Sequence, residues 1–269
     1  MRLPVACLLC LCHTAAASES MPALDRWSFA AGTFDNTFHI KGRVDGALDH
    51  DGSLIDFGER FGFDRKRVTQ LYEFQYLFAD RHQVELRHYS DQRTRTANID
   101  ETIEFEGQRF PSQVNLRGNA GFSVSEVSYA YWWGVETRTP WAAQAGVIRL
   151  RGSLGLRGRI EVDDVGEAEG SASANDHVDA PVVGVAVRHA FNEHWRWFAT
   201  GRLIYLELGR LSGYAYTARF GLEWLPTRHV GVTLQYGESA WNAERRGSGF
   251  NGELEVGFRG PQLLLRLRG

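Results

Sequence analysis

Hydrophobic and polar residues alternate strictly along the stretch Tyr214–Tyr236. From Tyr214 to Trp224 every even position is apolar, and this period of two predicts a strand with one apolar and one polar face. Leu225–Arg228 interrupts the alternation with Pro and Thr, which favour a tight turn. The first strand is eleven residues long, the length that a tilted strand needs to cross a bilayer, about 9–11. Strands of soluble sheets are usually only about 5–6 residues long.

The same alternation predicts ten strands in all, with eight or twelve as the alternative counts. Strand one changes parity at a bulge near Asp35-Asn36, and strand ten changes it at a kink near Gly260-Pro261. The predicted strands are Trp27–Val44, Val68–Phe78, one that begins at Gln83, Val114–Trp133, Trp141–Leu156, Val178–Phe191, Trp195–Gly209, Tyr214–Trp224, Val230–Tyr236, and Phe250–Phe258 with a continuation to Leu267.

Short turns and long polar loops alternate between these strands. The turns have the sequences FADRH, ETRTP, FNEHW and PTRH, whereas the loops Asp45–Arg67, Gln92–Pro111 and Arg159–His177 are rich in Gly and charged residues. This arrangement is typical of barrels that cross the outer membrane, with short turns in the periplasm and long loops outside.

Tryptophan clusters at the edge of the predicted sheet that carries the short turns. An indole favours the headgroup level of a membrane because it has an apolar body and a polar tip. We therefore predict a membrane-interface belt, with Trp241 alone at the opposite edge. The belt comprises seven of the eight tryptophans, Trp27, Trp132, Trp133, Trp141, Trp195, Trp197 and Trp224.

The N-terminal segment Met1–Ala17 has the composition of a signal peptide. Arg2 precedes an apolar core, and Ala15-Ala16-Ala17 predicts cleavage near Ser18, which leaves 18–269 as one barrel domain. All three cysteines lie in this segment, so the mature chain has none for a disulfide. Lipid attachment at Cys7 is the alternative.

Composition limits the ways in which this chain can cross a membrane. The mature sequence has no run of about 18 apolar residues, so we expect no helical span. A chain with long amphipathic strands must then close into a barrel, because lipid cannot satisfy the polar groups of an open sheet edge. The net charge of −3 and the lack of a basic block argue against nucleic-acid binding.

The chain resembles the outer-membrane β-barrel proteins of Gram-negative bacteria, of the small monomeric OmpA-, OmpX- or OmpW-like kind. The resemblance lies in Met1–Ala17, the hairpin Tyr214–Tyr236 and the closing strand Phe250–Arg268. The segments Gly52–Phe57 and Gly260–Leu263 resemble uncharacterised barrels for which no activity is implied. Such proteins usually end in an aromatic residue, whereas this chain ends in Leu267-Arg268-Gly269.

The inward positions of the predicted strands carry both acids and bases. Such charges in a narrow bore must pair or meet water, since unpaired burial costs several kcal/mol. A gated polar pore is one interpretation; we favour a salt-bridged plug, because balanced charges suffice to fill a bore of eight to ten strands. The predicted network comprises Glu73, Glu85, Arg87, Glu126, Arg149, Arg151, Arg188, Arg219, Glu223, Glu253 and Glu255.

Motifs for catalysis or metal binding are weak. Ten strands also occur in omptin-type proteases, but no matching pair of Asp residues with an Asp-His pair is found. Asp49-His50-Asp51 and the acidic residues of the loop Arg159–His177 are interpreted as solvated loop residues, and no Cys/His cluster has zinc spacing. We therefore expect no enzyme, no cofactor and no metal.

The sequence thus predicts an integral outer-membrane protein of structural or interaction type, monomeric, with external loops open to ligands. The expected partners are outer-membrane lipid, lipopolysaccharide and, during biogenesis, the barrel-assembly machinery. A narrow channel for small polar or amphipathic solutes is the alternative, and a lipid- or peptide-modifying barrel enzyme comes third.

Overall fold

Thirteen strands make up the regular structure in the computed structural model, which describes residues 23–44, 55–56, 67–99, 102–105, 108–110, 114–162, 166–208, 211–245 and 252–269. Ten strands are long, and β2, β5 and β6 have only two or three residues. In chain order they are β1 Trp27–Val44, β2 Ile55–Asp56, β3 Arg67–Phe78, β4 His82–Ile99, β5 Ile103–Phe105, β6 Gln108–Phe110, β7 Val114–Trp133, β8 Trp141–Val162, β9 Gly166–Ala190, β10 Trp195–Leu208, β11 Leu211–Trp224, β12 Val230–Arg245 and β13 Gly252–Arg268.

The ten long strands form a closed antiparallel barrel, which confirms the predicted fold. Each long strand pairs with the next long strand along the chain, and β1 pairs with both β3 and β13. The pairing of Ser28 with Arg268 joins the first strand to the last. Closure leaves the ring of long strands without an unpaired edge, which is the condition for a sheet to stand in lipid.

Strands β4, β8 and β9 continue into segments that the sequence had indicated as loops. β4 runs to Ile99, and β8 and β9 stay paired out to Val162 opposite Gly166. The prediction was wrong here because Gln92–Ile99 and Gly166–His177 lack the apolar period that marks a half-buried strand. Backbone pairing holds these extensions together without that signal.

The parity of the first and last strands does not change, contrary to the prediction. Even-numbered residues of β1 point into the bore at both ends of the strand, from Ala30 to Ile40, and β13 behaves the same way from Val256 to Arg266. Asp35 and Asn36 interrupt the ladder opposite Gly260 and Pro261, and Gly260 has a φ of 155°. The irregularity is therefore local, and the alternation passes through it unchanged.

Two halves of the bore are lined by different kinds of side chain. The half beside the short turns, called the periplasmic half, is lined by polar and charged residues that include Glu73, Glu85 and Arg219. The other half, called the external half, contains an apolar cluster around Tyr89 and Phe258. On the outside the order is reversed on β4, β7, β8 and β13, with exposed apolar residues around the periplasmic half and polar residues further out, whereas β10 and β11 carry exposed Leu203, Tyr205 and Tyr214 towards their outer ends.

Candidate functional site

Arg219 of β11 lies at the centre of the periplasmic half and bonds to the opposite wall of the barrel. Its Nη1 is 3.0 Å from Oε1 of Glu73 on β3, and its Nη2 is 2.7 Å from Oε1 of Glu85 on β4. All three side chains are almost completely buried. These ion pairs span the bore, because β11 is separated from β3 and β4 by several strands in either direction around the ring.

Two further arginines extend this network around the wall. Arg202 Nη2 lies 3.3 Å from Glu85 Oε1, and Arg202 Nη1 also pairs with Glu126. Arg87 Nε lies 3.2 Å from Glu73 Oε1, and Arg87 Nη2 donates to Gln262 Oε1 at 2.9 Å. Each central carboxylate thus meets at least two guanidinium groups, which offsets the cost of its burial.

The segment before β1 closes the periplasmic end. Asp25 accepts two hydrogen bonds of 2.9 Å from Arg196 and one contact of 2.9 Å from Arg268. Burial alone would raise the pKa of the Asp25 carboxyl, but the guanidinium of Arg196, with those of Arg268 and Arg266, holds this pKa below its usual range. The N-terminal end of the barrel is thereby tied to β10 and to the last strand.

An apolar cluster lies beside this ion-pair group. Leu24 packs with Leu77, Trp132 and Val135, and all of these side chains are buried. Trp132 also donates its indole N–H to Gln83 Oε1 at 2.9 Å. Together, Leu24 and Asp25 act as a stopper at the periplasmic mouth of the described barrel.

The external half is filled by aromatic rings instead of ion pairs. Phe122 and Phe258 have ring centroids 4.4 Å apart, and Tyr89 meets both rings edge-on at about 6 Å. Residues from the outer segments join the same cluster, because Ile55 of β2, and Ile103 and Phe110 of the β5–β6 hairpin, are fully buried in it.

The structure places seven of the eleven predicted network residues inside the bore and four outside. The inward seven are Glu73, Glu85, Arg87, Glu126, Arg188, Arg219 and Glu223, each no more than 7% exposed. The outward four are Arg149, Arg151, Glu253 and Glu255.

Those four placements were wrong because the prediction assigns the apolar residues between them to the lipid-facing wall. Ile148 and Leu150 instead line the external half of the bore, and Val256 and Phe258 do the same on β13. Arg149 is paired on the outer wall with Asp179, through two contacts of 2.5 and 2.6 Å.

Four buried network members were not predicted: Asp25, Arg196, Arg202 and Arg266. The alternation contained a signal for two of them, whereas the parity around Arg202 is ambiguous. Arg196 falls between Trp195 and Trp197, and Arg266 falls between Leu265 and Leu267, so each had to face away from an apolar surface. Asp25 precedes the first strand and carries no periodic signal.

Six of the seven predicted belt tryptophans lie on the outer wall near the short turns. Trp133 stacks on Trp141 with centroids 4.3 Å apart, and Trp195 stacks on Trp224 at 6.3 Å. Trp27 is 40% exposed, and Trp197 contacts Phe220 on the same wall.

Trp132 is the exception: it is 2% exposed and points into the bore, because it is adjacent to Trp133 and must face the other way. Trp241, outside the predicted belt, is buried in the external half.

Several candidates from the sequence lie outside the residues that the structure describes. These include the signal segment Met1–Ala17 and Asp49-His50-Asp51. Within the described ranges there is no group of three or more His, Cys, Asp or Glu residues that could hold a metal ion. The same ranges contain no helix long and apolar enough to cross a membrane.

No protein-family model and no curated protein sequence matches the chain. Among solved structures, it is similar to the outer-membrane protease OmpT of Escherichia coli, with 10% identity, a TM-score of 0.58, and coverage of 90% of this chain and 96% of that one. Lower TM-scores are found for the Pseudomonas putida toluene transporter TodX (0.35; 8% identity; 93% and 91% covered) and for Ail of Yersinia pestis (0.32; 10% identity; 89% and 97% covered).

The likeness to OmpT supports the class of fold: a closed antiparallel β-barrel of the kind found in an outer-membrane protein. It also corrects one expectation from the sequence. The chain was expected not to be an enzyme, and that exclusion is wrong, because a protease has this barrel fold. At 10% identity the likeness concerns the fold alone, and it transfers no catalytic residue to this chain.

Proposed function

We propose that this protein is a closed outer-membrane barrel whose filled bore makes it a rigid anchor for its outward-projecting strands, in a structural or interaction role. The observation that carries the proposal is the cross-bore network in which Arg219 binds Glu73 and Glu85. In the described part of the barrel, ion pairs span the bore at one level and packed rings fill the next level, so both levels restrict the passage of solutes.

The space left in the network supports the same conclusion. A small cavity beside Glu73, Glu85 and Arg219 has a volume of about 10 Å³, which is room for one water molecule. A pore for hydrated ions would need a far wider and continuous opening. The external half adds a second closure, because Phe122, Phe258 and Phe110 are buried together there.

Planar-bilayer recording of the purified barrel tests this proposal. The wild-type chain should give no steady unitary conductance, whereas Glu85→Ala should leak, because it removes a carboxylate shared by Arg219 and Arg202. Arg149→Ala is the matched control, since Arg149 pairs with Asp179 on the outer wall. Regular conductance steps from the wild type would establish the narrow channel instead, and equal leak from both variants would refute the plug.

The partners follow from the exterior of the barrel. We infer that the apolar wall contacts outer-membrane lipid and lipopolysaccharide, that the assembly machinery inserts the chain, and that the barrel is a monomer. Leu263, Leu265 and Leu267 on β13, with Leu234 and Tyr236 on β12, supply such an apolar wall, each between 46 and 57% exposed. Cleavage of the signal peptide near Ser18 remains a prediction.

A further inference from the structure

A polar groove lies on the outer wall of the external half, across strands β3, β4, β7, β8 and β9. Its volume is about 1130 Å³. Small residues form its floor, among them Ser90, Gly121, Ser123 and Ser153. Tyr72 borders it on β3 and Arg151 on β8.

The strand register fixes the height of this groove relative to the apolar wall. Phe74, Leu86, Val127 and Val147 lie side by side on neighbouring strands, and each is at least 37% exposed. The next row outward, two residues further along each strand and thus about 7 Å away, is Tyr72, His88, Ser125 and Arg149. The row after that contains Ser90, Ser123, Arg151 and His177.

On β4, β7 and β8 the wall therefore changes from apolar to polar within one row, and the groove begins at that row. In a barrel that stands in the outer membrane with its short turns in the periplasm, this level is where the headgroups of the outer leaflet meet the protein. The molecules present there at the highest concentration are lipids whose polar heads carry phosphate groups.

The charges around the groove favour an anion. Arg151 is exposed, and the pKa of the nearby Asp179 carboxyl is lowered by its hydrogen bond with Arg149 and also by the positive charge of Arg151. Two carboxylates near the groove, among the side chains that the structure describes, already pair with arginine: Asp179 with Arg149 at 2.5 Å, and Asp91 with Arg93 at 2.8 Å. His88 and Ser125, joined by a bond of 2.9 Å between Nδ1 and Oγ, supply further polar atoms at the lower edge.

We propose that this groove binds the phosphorylated headgroup of an outer-leaflet glycolipid, with Arg151 as the phosphate ligand. The small floor residues admit a sugar-sized head, the exposed guanidinium of Arg151 binds its phosphate, and the row of Leu86, Val127 and Val147 below lies against its acyl chains. The proposal rests on the lipid contact inferred above for the wall. It is independent of whether the bore conducts.

The test measures binding of a bisphosphorylated lipid A, and of the same lipid without phosphates, to the purified folded full-length chain by microscale thermophoresis. The wild type should prefer the phosphorylated lipid. Arg151→Gln should bind it about tenfold more weakly, the loss expected for one charge-assisted hydrogen bond. Ser90→Trp, which fills the floor and keeps every charge, should weaken both lipids.

Arg259→Gln is the matched control, because Arg259 is an exposed arginine of β13 on the far side of the barrel. It lies nine residues from the end of its strand at Arg268, much as Arg151 lies ten from the start of β8. An equal loss in Arg151→Gln and Arg259→Gln would show only general attraction to the lipid surface and would overturn the site. Competition by inorganic phosphate at a similar concentration would show a free-anion site instead of a lipid site.

These outcomes are separate from those of the conductance experiment. A conducting wild-type barrel with intact lipid preference would refute the plug and keep the groove. A closed barrel on which Arg151→Gln and Ser90→Trp both bind lipid A as the wild type does would keep the plug and refute the groove. Heat-modifiability of each variant on a gel confirms that only folded barrels are compared.

Discussion

The periplasmic and external halves of this barrel have the same backbone and opposite surfaces. In the periplasmic half Glu73, Glu85 and Arg219 are buried, while Phe74, Leu86 and Phe220 are exposed on the same strands. In the external half Leu150 and Phe258 are buried, while Arg149 and Arg151 are exposed. The alternation of the strands is continuous from one half to the other.

The surroundings of each half account for this reversal. Lipid around the periplasmic half requires an apolar wall, and the polar residues of an amphipathic strand must then turn inward and pair. Water around the external half removes that requirement, so the apolar side chains pack inside as they do in a soluble protein. The exchange of surfaces marks the level at which the barrel leaves the membrane.

The largest effect is expected from breaking the buried ion pairs of the periplasmic half. Arg219→Ala leaves Glu73 and Glu85 each with one fewer guanidinium group in a dry bore, and we expect it to destabilise the barrel by about 4–5 kcal/mol. Urea unfolding in lipid vesicles, followed by tryptophan fluorescence, measures the change. Arg219→Met, which keeps the volume but not the charge, should be almost as damaging, because the carboxylates remain.

Arg149→Ala is the counterpart on the outer wall of the external half. Its pair with Asp179 is exposed to water, so its loss should change the free energy of unfolding little. If Arg149→Ala destabilised the barrel as much as Arg219→Ala, the contrast between buried and exposed ion pairs in the two halves would not hold.

A somewhat smaller loss is expected from the apolar interior of the external half. Phe258→Ala removes a ring that is 1% exposed and contacts Phe122 and Tyr89, which should cost about 3 kcal/mol. The same unfolding experiment measures it. Leu263→Ala on the same strand, 54% exposed on the lipid side, is the control and should cost clearly less. An equal cost would mean that β13 faces the opposite way.

The sequence predicted the barrel, and it predicted the site only where lipid surrounds the wall. The strands Trp27–Val44 and Val114–Trp133 were predicted with their observed bounds, because alternation survives wherever one face is apolar. The same period showed that Ile148 and Leu150 share a face with each other and not with Arg149 and Arg151. It did not show which face was inside.

That choice depends on whether lipid or water surrounds the strand at that height, and no local pattern encodes the height. The prediction assumed lipid along the whole strand. It therefore succeeded for Glu85 and Glu126 and failed for Arg151 and Glu255, which lie beyond the membrane level. The role of Asp25 was out of reach for another reason, because its partners Arg196 and Arg268 are on strands distant in sequence.

An intermediate effect, and one that depends on pH, is expected at the periplasmic stopper. Because the pKa of Asp25 is lower in the folded barrel than its unfolded value of about 3.9, the carboxylate stabilises the fold at neutral pH. This contribution is lost as the pH falls below the unfolded value and approaches the folded one. Asp25→Asn should therefore cost about 2 kcal/mol at pH 7, with a penalty that shrinks only at strongly acidic pH.

Unfolding at a series of pH values checks this, with Asp179→Asn as the control from the exposed pair of the external half. Asp25→Asn and the wild type should converge in acid, whereas Asp179→Asn should stay close to the wild type throughout. A constant penalty for Asp25→Asn down to strongly acidic pH would show that the side chain acts through packing and not through its charge.

The smallest disturbance, and the sharpest test of the reversal, is a single cysteine on each face of β8. The three cysteines of the chain all lie within its first twelve residues, so a chain that is cleaved near Ser18, as predicted, has no native cysteine that would react with the label. Arg151→Cys should react with a membrane-impermeant maleimide on intact cells, because residue 151 is exposed on the outer wall above the apolar band. Leu150→Cys should stay unlabelled until the barrel is unfolded, since residue 150 is 3% exposed in the aromatic cluster.

Val147→Cys completes the series. Residue 147 is exposed but lies in the apolar band, so lipid should shield it in cells, and it should react once the barrel is in a small detergent. Rapid labelling of Leu150→Cys together with protection of Arg151→Cys would invert the external half, and the reversal of surfaces would then be wrong.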